Sequence, residues 1–287
     1  MDILDYAFMQ RALIAAALVG ITAPAIGTYL VQRRQALMGD GLGHVAMTGV
    51  ALGFVLHTSP VWMATLVAVV GAVGMELIRA RGKTSGDVAL AMLFYGGLAG
   101  GVMIINLGGG QTASLLGSMF GSITTVAAED VTAMAILAAF VLAVAIGLRR
   151  QLFAVCQDEE FARVTGLPVR ALNLLIAVTA AVTVTVAMRI VGLLLVSAML
   201  VIPVAAAQRL TRSFAATLGL AMAISVTVSL TGTAATYYIN VPSGATIVLL
   251  AIGVFMVMTA LSAPLARRRA RAALAAEEVC TRDDVKV

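Results

Sequence analysis

Charged side chains make up only 11% of the 287 residues, and the types that most often carry chemistry are nearly missing: two histidines, two cysteines and one tryptophan. Cys156 and Cys280 are too few for a disulfide framework or a cysteine-based zinc site, so both are read as free thiols in cytoplasmic segments. No basic residue precedes the first apolar run and no small-residue cleavage site follows at signal-peptide spacing, which predicts a retained first helix. No polar stretch is long enough to bury a soluble core, and nothing repeats at solenoid periods. What fills the chain instead is apolar. Hydrophobic residues reach 61% and the mean hydropathy is +1.03, well above the roughly half-apolar usage of soluble domains. These proportions specify an all-α, polytopic transmembrane helical bundle.

Nine apolar runs long enough to cross a hydrocarbon core of ~30 Å recur between polar, Gly or Pro breaks: 8–31, 37–57, 60–78, 88–106, 130–148, 169–188, 190–207, 214–236 and 244–264. Threaded alternately from an outside N-terminus, they leave 17 of the 19 Lys and Arg residues in the cytoplasm, all but Arg11 and Arg189. That asymmetry sets orientation, and it means the net charge of +5 reflects helix ends rather than a nucleic-acid surface. The stretch GGGQTASLLGSMFGSITT, 108–125, is too short and too rich in Gly, Ser and Thr to span, which predicts a short outer-face or re-entrant helix. Gly39, Gly43, Gly49 and Gly53 on the second run, and Gly96, Gly97, Gly100 and Gly101 on the fourth, predict close helix contacts. Residues 1–266 are thus expected to form the membrane domain and 267–287 a basic, then mixed-charge, cytoplasmic tail.

Within the second run, MGDGLGHVAMTGVALGF places Asp40 and His44 four residues apart, on one helix face. An ionisable side chain in hydrocarbon costs on the order of 2.5 to 3.5 kcal/mol on insertion scales, so the pair requires compensation. A carboxylate and an imidazole suit zinc, manganese or ferrous iron, and two such pairs from symmetry-related chains supply four ligands. An Asp–His hydrogen bond tying helices together is the alternative that spacing leaves open. The 15 methionines are scattered rather than stacked, which fits gap-filling better than a copper path. The run ARGKTS, 80–85, lacks the first glycine of a phosphate loop, since position 77 is Leu77, and it follows a membrane helix rather than a strand. ATP must therefore be hydrolysed elsewhere if this chain moves a cargo actively.

Arg33 and Arg34 followed by MGDGLGHVAMTGVALGF resemble the pattern RR, GDxxxH, small-apolar GVALG of the zinc and manganese permeases of ABC importers. EDV at 129–131, DEEFARVTGLP at 158–168, MRIVGLLLVSAMLVIPVAAAQRL at 188–210 and VPSGATIVLL at 241–250 agree in order, so the similarity covers about residues 8–264. The resemblance implies a type II ABC importer-like permease: two copies side by side, two cytoplasmic ATPases beneath, and an extracytoplasmic protein that delivers the ion. It carries the metal role to Asp40 and His44. Zinc members often have a second histidine early in the fourth span, where this chain has Phe94 and Tyr95. Zinc is the first expectation, manganese the second and iron the third.

The family's ATPase-coupling segment corresponds to residues 201–214, with Pro203 kinking the helix, Ala205, Ala206 and Ala207 giving a narrow profile, and Arg209 and Arg212 available to acidic partner residues. Residues 157–170 are expected as an amphipathic turn or two near the ATPase, with Phe161, Val164 and Leu167 apolar and Gly166 and Pro168 ending it. Glu129 and Asp130 are read as charges favouring a helix N-terminus, and His57 and Arg189 as interfacial residues. Glu76 and Asp87 are expected to pair with the loop 79–83 or, with Ser85, to cap the fourth helix, as exposed charges of small consequence.

The expected protein is therefore a non-enzymatic, homodimeric permease subunit of a bacterial inner-membrane importer of divalent transition metals. It takes zinc, manganese or iron as cargo rather than as a resident cofactor, and it has no nucleic-acid partner. Two other readings compete: a permease for iron chelates or corrinoids, and an intramembrane zinc metalloenzyme. The first needs a wide cavity. The second needs a third ligand and a base, whereas the only other histidine, His57, lies 13 residues on.

Overall fold

A computed structural model describes residues 6–80, 86–109, 126–239 and 241–261. The expected outer-face helix at 110–125, the cytoplasmic tail with Cys280, residues 81–85 of the basic loop, and the side chain of Asp87 lie outside the described residues. The described helices are α1 (Ala7–Gln32), α2 (Met38–Val55), α3 (Pro60–Ala80), α4 (Gly86–Leu107), α5 (Ala128–Gly147), α6 (Arg149–Gln157), α7 (Glu159–Val164), α8 (Val169–Val191), α9 (Leu193–Leu210), α10 (Phe214–Ile239) and α11 (Ser243–Leu261). Eight of these are long and apolar enough to cross a membrane, and α2 is the ninth helix of spanning length. Glycines, Asp40 and His44 dilute its hydropathy. Each of the nine expected runs thus corresponds to a helix, and the protein is a multi-pass membrane protein.

Two helices organise the bundle. α1, whose most apolar window is 72% buried against 17% for α11, packs on α5, α8, α9 and α10. α2 packs on α3, α4, α8 and α9, so α8 and α9 join the two groups. Small residues make this possible, because contact distance rather than hydrophobicity governs helix association in lipid. A Cβ at Gly49 or Gly53 of α2 would meet α3 backbone at Ala64 or Pro60, and one at Gly97 of α4 would lie 2.6 Å from the Val45 nitrogen. Thr48 Oγ1 also donates to the Gly97 carbonyl across 2.6 Å. The tightest approach to a neighbouring backbone is at Gly27 of α1, where a Cβ would lie 2.0 Å from the Leu200 carbonyl oxygen. Tyr29, fully buried, donates from its hydroxyl to the Ala145 carbonyl of α5 and stacks on Phe214 with centroids 5.1 Å apart.

Three local features depart from the sequence expectations. α8 runs on to Val191 and stops at Gly192, whose φ of 86° is a backbone state that favours glycine. Arg189, expected between spans, therefore sits in the last turn of α8. The amphipathic stretch RRQLFAVCQ forms a helix of its own, α6, burying Leu152 and Val155. In α7, Asp158 caps the helix by accepting from the Glu160 and Phe161 amides, and Ala162 is the buried position. Phe161 and Val164, the apolar residues of the expected amphipathic turn, are exposed, while the helix is held by its cap and by Glu159.

Glu76 is the clearest correction. Rather than an exposed charge, it is only 4% exposed and lies 3.4 Å from Arg33 and 3.5 Å from Arg79. Glu159 of α7 takes Arg79, Arg33 at 3.4 Å, and the Asn173 amide at 3.1 Å. The ends of α1 and α3 are thus tied to α7 and α8 by a cluster of charges. The first arginine of the RR pair is inside it, with a side chain 2% exposed, while Arg34 is exposed at φ 58°. Cys156 of α6 lies nearby, and burial, opposed by Arg33, pushes its thiol up to about 12.

Three outcomes follow from this packing. Gly27→Ala forces backbone apart and is expected to destabilise by about 1–3 kcal/mol, whereas Gly96→Ala, which meets nothing within 4 Å, leaves the melting temperature in detergent unchanged. Glu76→Ala leaves Glu159 alone to compensate both Arg33 and Arg79 and is expected to lower the melting temperature in the same assay. Cys156, protonated in the folded state throughout the neutral range, should resist iodoacetamide at pH 8 in a Cys280→Ser background and react once the protein is unfolded.

Candidate metal site

The geometry around α2 begins with its glycines. Gly39, Gly41 and Gly43 present no side chains, so neighbouring helices reach the backbone on either side of Asp40 and His44. His44 is only 5% exposed, and the Asp40 side chain, 35% exposed, opens on a cleft of about 280 Å³ lined by Leu37, Leu90, Ala91, Phe94 and Tyr95. Asp40 lies in the first turn of α2, where the helix dipole favours a negative charge. Its Oδ1 stands 3.9 Å from His44 Nε2. That is too long for a hydrogen bond but within the roughly 4.2 Å that two metal–ligand bonds of about 2.1 Å can span.

Two further contacts shape the pair. The Phe94 ring meets the His44 imidazole edge-on, with centroids 4.4 Å apart at 69°, and Tyr95 in turn meets Phe94 at 5.3 Å and 82°. His44 Nδ1 is buried without a hydrogen-bond partner, so this aromatic contact fixes the ring where a hydrogen bond usually does. On the other side, Ser197 of α9 donates to Asp40 Oδ1 across 3.4 Å. Sequence reasoning missed Ser197: it lies 157 positions from Asp40, and only the helix packing brings the two together.

Among the described residues no group of three or more His, Cys, Asp or Glu side chains could hold a metal. One chain therefore offers Asp40 and His44, leaving coordination positions for water or for ligands from a second copy. His57 is not brought to this site. It occupies an exposed turn after α2 at φ 51°, about 20 Å along the helix axis from His44.

The remaining candidates lie elsewhere. Asp130, in the first turn of α5, accepts the Ala127 amide at 3.1 Å and pairs with Arg189 at 3.4 Å, so both acidic residue and arginine hold helix ends. Glu129 shares that first turn. In the segment 201–214, Pro203, Ala206 and Ala207 are buried within α9 and Ala205 is half-buried. The surface open to a partner is formed by Gln208, Arg209, Arg212 and Ser213, with Arg209 resting 5.9 Å from the centre of the Phe255 ring.

Comparison with known proteins gives concordant matches. Residues 5–262 match the family described as the ABC 3 transport family. The chain is 31% identical to the manganese transport system membrane protein MntC of Halalkalibacterium halodurans over 254 residues, 88% of this chain and 87% of that one. It is 30% identical over 253 residues to the chelated iron transport system membrane protein YfeD of Yersinia pestis, covering 88% and 84%. Its fold is similar to a chain of PsaBC from Streptococcus pneumoniae, solved in complex with a Fab, with a TM-score of 0.79 and 30% identity over 89% of this chain and 92% of that one.

Proposed function

Because the chain belongs to the ABC 3 transport family and is the membrane permease of a divalent metal ABC transport system, we propose that it imports manganese through a site formed by Asp40 and His44 of two copies. The observation that carries this reading is the Asp40–His44 pair, 3.9 Å apart, with Asp40 opening on a cleft and His44 buried, and with no group of three or more His, Cys, Asp or Glu side chains among the described residues. Carboxylate and imidazole without thiolate suit a cation that keeps oxygen ligands, and the ring packed on His44 is Phe94, which has no donor atom to offer. The manganese relatives point the same way. Zinc is the second reading, favoured by a compact i, i+4 pair whose duplication supplies the four ligands of a tetrahedral site.

The proposed assembly is a homodimer in a bacterial inner membrane, with its N-terminus outside, two cytoplasmic ATPases and an extracytoplasmic metal-binding protein. Orientation rests on the cytoplasmic bias of Lys and Arg. The ATPases meet the exposed surface around Arg209 and Arg212. Transport then requires a site that holds the ion in one conformation and loses its geometry in the other, with the shift driven by ATP binding on the partner chain. The permease changes no covalent bond in its cargo.

Proteoliposomes containing the permease, its ATPase and its binding protein test this directly. Asp40→Asn and His44→Ala are each expected to reduce uptake to background while the complex still assembles and hydrolyses ATP. Uptake at wild-type rates in either variant removes the site. Competition among manganese, zinc and ferrous iron in the same vesicles decides the cargo, and preferential zinc uptake selects the second reading over the first.

A further inference from the structure

Ser197 occupies a position that packing against the membrane alone does not explain. Leu193, Ser197 and Leu200 fall at i, i+4 and i+7 on one stripe of α9, and this stripe faces α2. The two leucines are knobs in glycine notches. A Cβ at Gly43 would lie 1.8 Å from Leu193 Cδ1, and one at Gly39 would lie 2.3 Å from Leu200 Cδ1. These notches bracket Asp40, so the seating of the leucines sets the register of α9 on α2 and brings Ser197 opposite the carboxylate. A hydroxyl in a helix commonly bonds back to the carbonyl four residues earlier, as Thr22, Thr28, Thr183 and Thr227 do here. Ser197 is turned across to another helix instead, 3.4 Å from Asp40 Oδ1.

We propose that Ser197 is a positioning residue for the metal site: its hydroxyl orients the Asp40 carboxylate for capture, and its placement depends on the register of α9 against α2. This rests on the reading of Asp40 and His44 as the metal pair. The 3.4 Å contact can close to the ordinary ~2.8 Å of an O–H···O bond as the carboxylate turns toward a cation, so the hydroxyl restrains the acid without competing for the ion.

The experiment measures manganese binding by isothermal titration to the permease–ATPase complex in nanodiscs, together with uptake at saturating manganese. Ser197→Ala should weaken binding roughly ten- to hundred-fold, the loss of one hydrogen bond to a charged group, with an unchanged melting temperature and a maximal uptake rate within about twofold of wild type. Ser197→Thr, which keeps the hydroxyl, should restore affinity. Wild-type affinity in Ser197→Ala, or equal loss in the alanine and threonine variants, overturns the proposal. Asp40→Asn separates the two levels of inference: if it abolishes binding while Ser197→Ala binds with wild-type affinity, the metal site stands and the role of Ser197 falls, and if Asp40→Asn binds manganese normally, the site itself falls.

Discussion

A carboxylate and an imidazole held inside an apolar bundle impose the constraint on which this structure depends. Lipid cannot solvate them, so their helix must be surrounded by protein, and protein can come close only where side chains are absent. The glycines of α2 meet that requirement on three sides: Gly49 and Gly53 admit α3, Gly97 of α4 reaches the backbone beside His44, and Gly39 and Gly43 receive leucines of α9. The result is a helix too polar to pass as a span by hydropathy, yet enclosed by helices that do. Asp40 and His44 keep polar function because the surrounding packing, not lipid, defines their environment.

At the end of the bundle where α1 and α3 finish, charge is handled differently. Arg33, Glu76, Arg79 and Glu159 compensate one another at distances near 3.4 Å, several of them with idle hydrogen-bonding atoms. Such a cluster adds little net stability relative to apolar packing, but each member makes the loss of another expensive. It therefore specifies which helix ends belong together. Arg33 immediately precedes the turn into α2, so the same cluster also sets where α2 begins.

Much of this organisation was legible in the sequence. The nine spans, the glycine contacts of α2 and the i, i+4 pair depend on local period and composition and correspond to observed features, whereas of the α4 glycines Gly97 is closely approached and Gly96 faces open space. What was not legible depends on distant contacts. Glu76 reads as an exposed loop-flanking charge until α1 and α7 are placed beside it, and Ser197 reads as one more small residue until α9 docks on α2. α6 escaped because nine residues with two arginines at the start give a weak helical signal, decided by the burial of Leu152 and Val155.

Gly192 gives this arrangement a mechanical character. It is the single residue between α8 and α9, in a backbone state that a β-carbon would disfavour. Two helices joined through such a residue do not continue as one rod, so α9 takes its direction from its own packing on α1, α2 and α10. α8, fastened near one end by Asn173 and near the other by Arg189, is anchored independently of it.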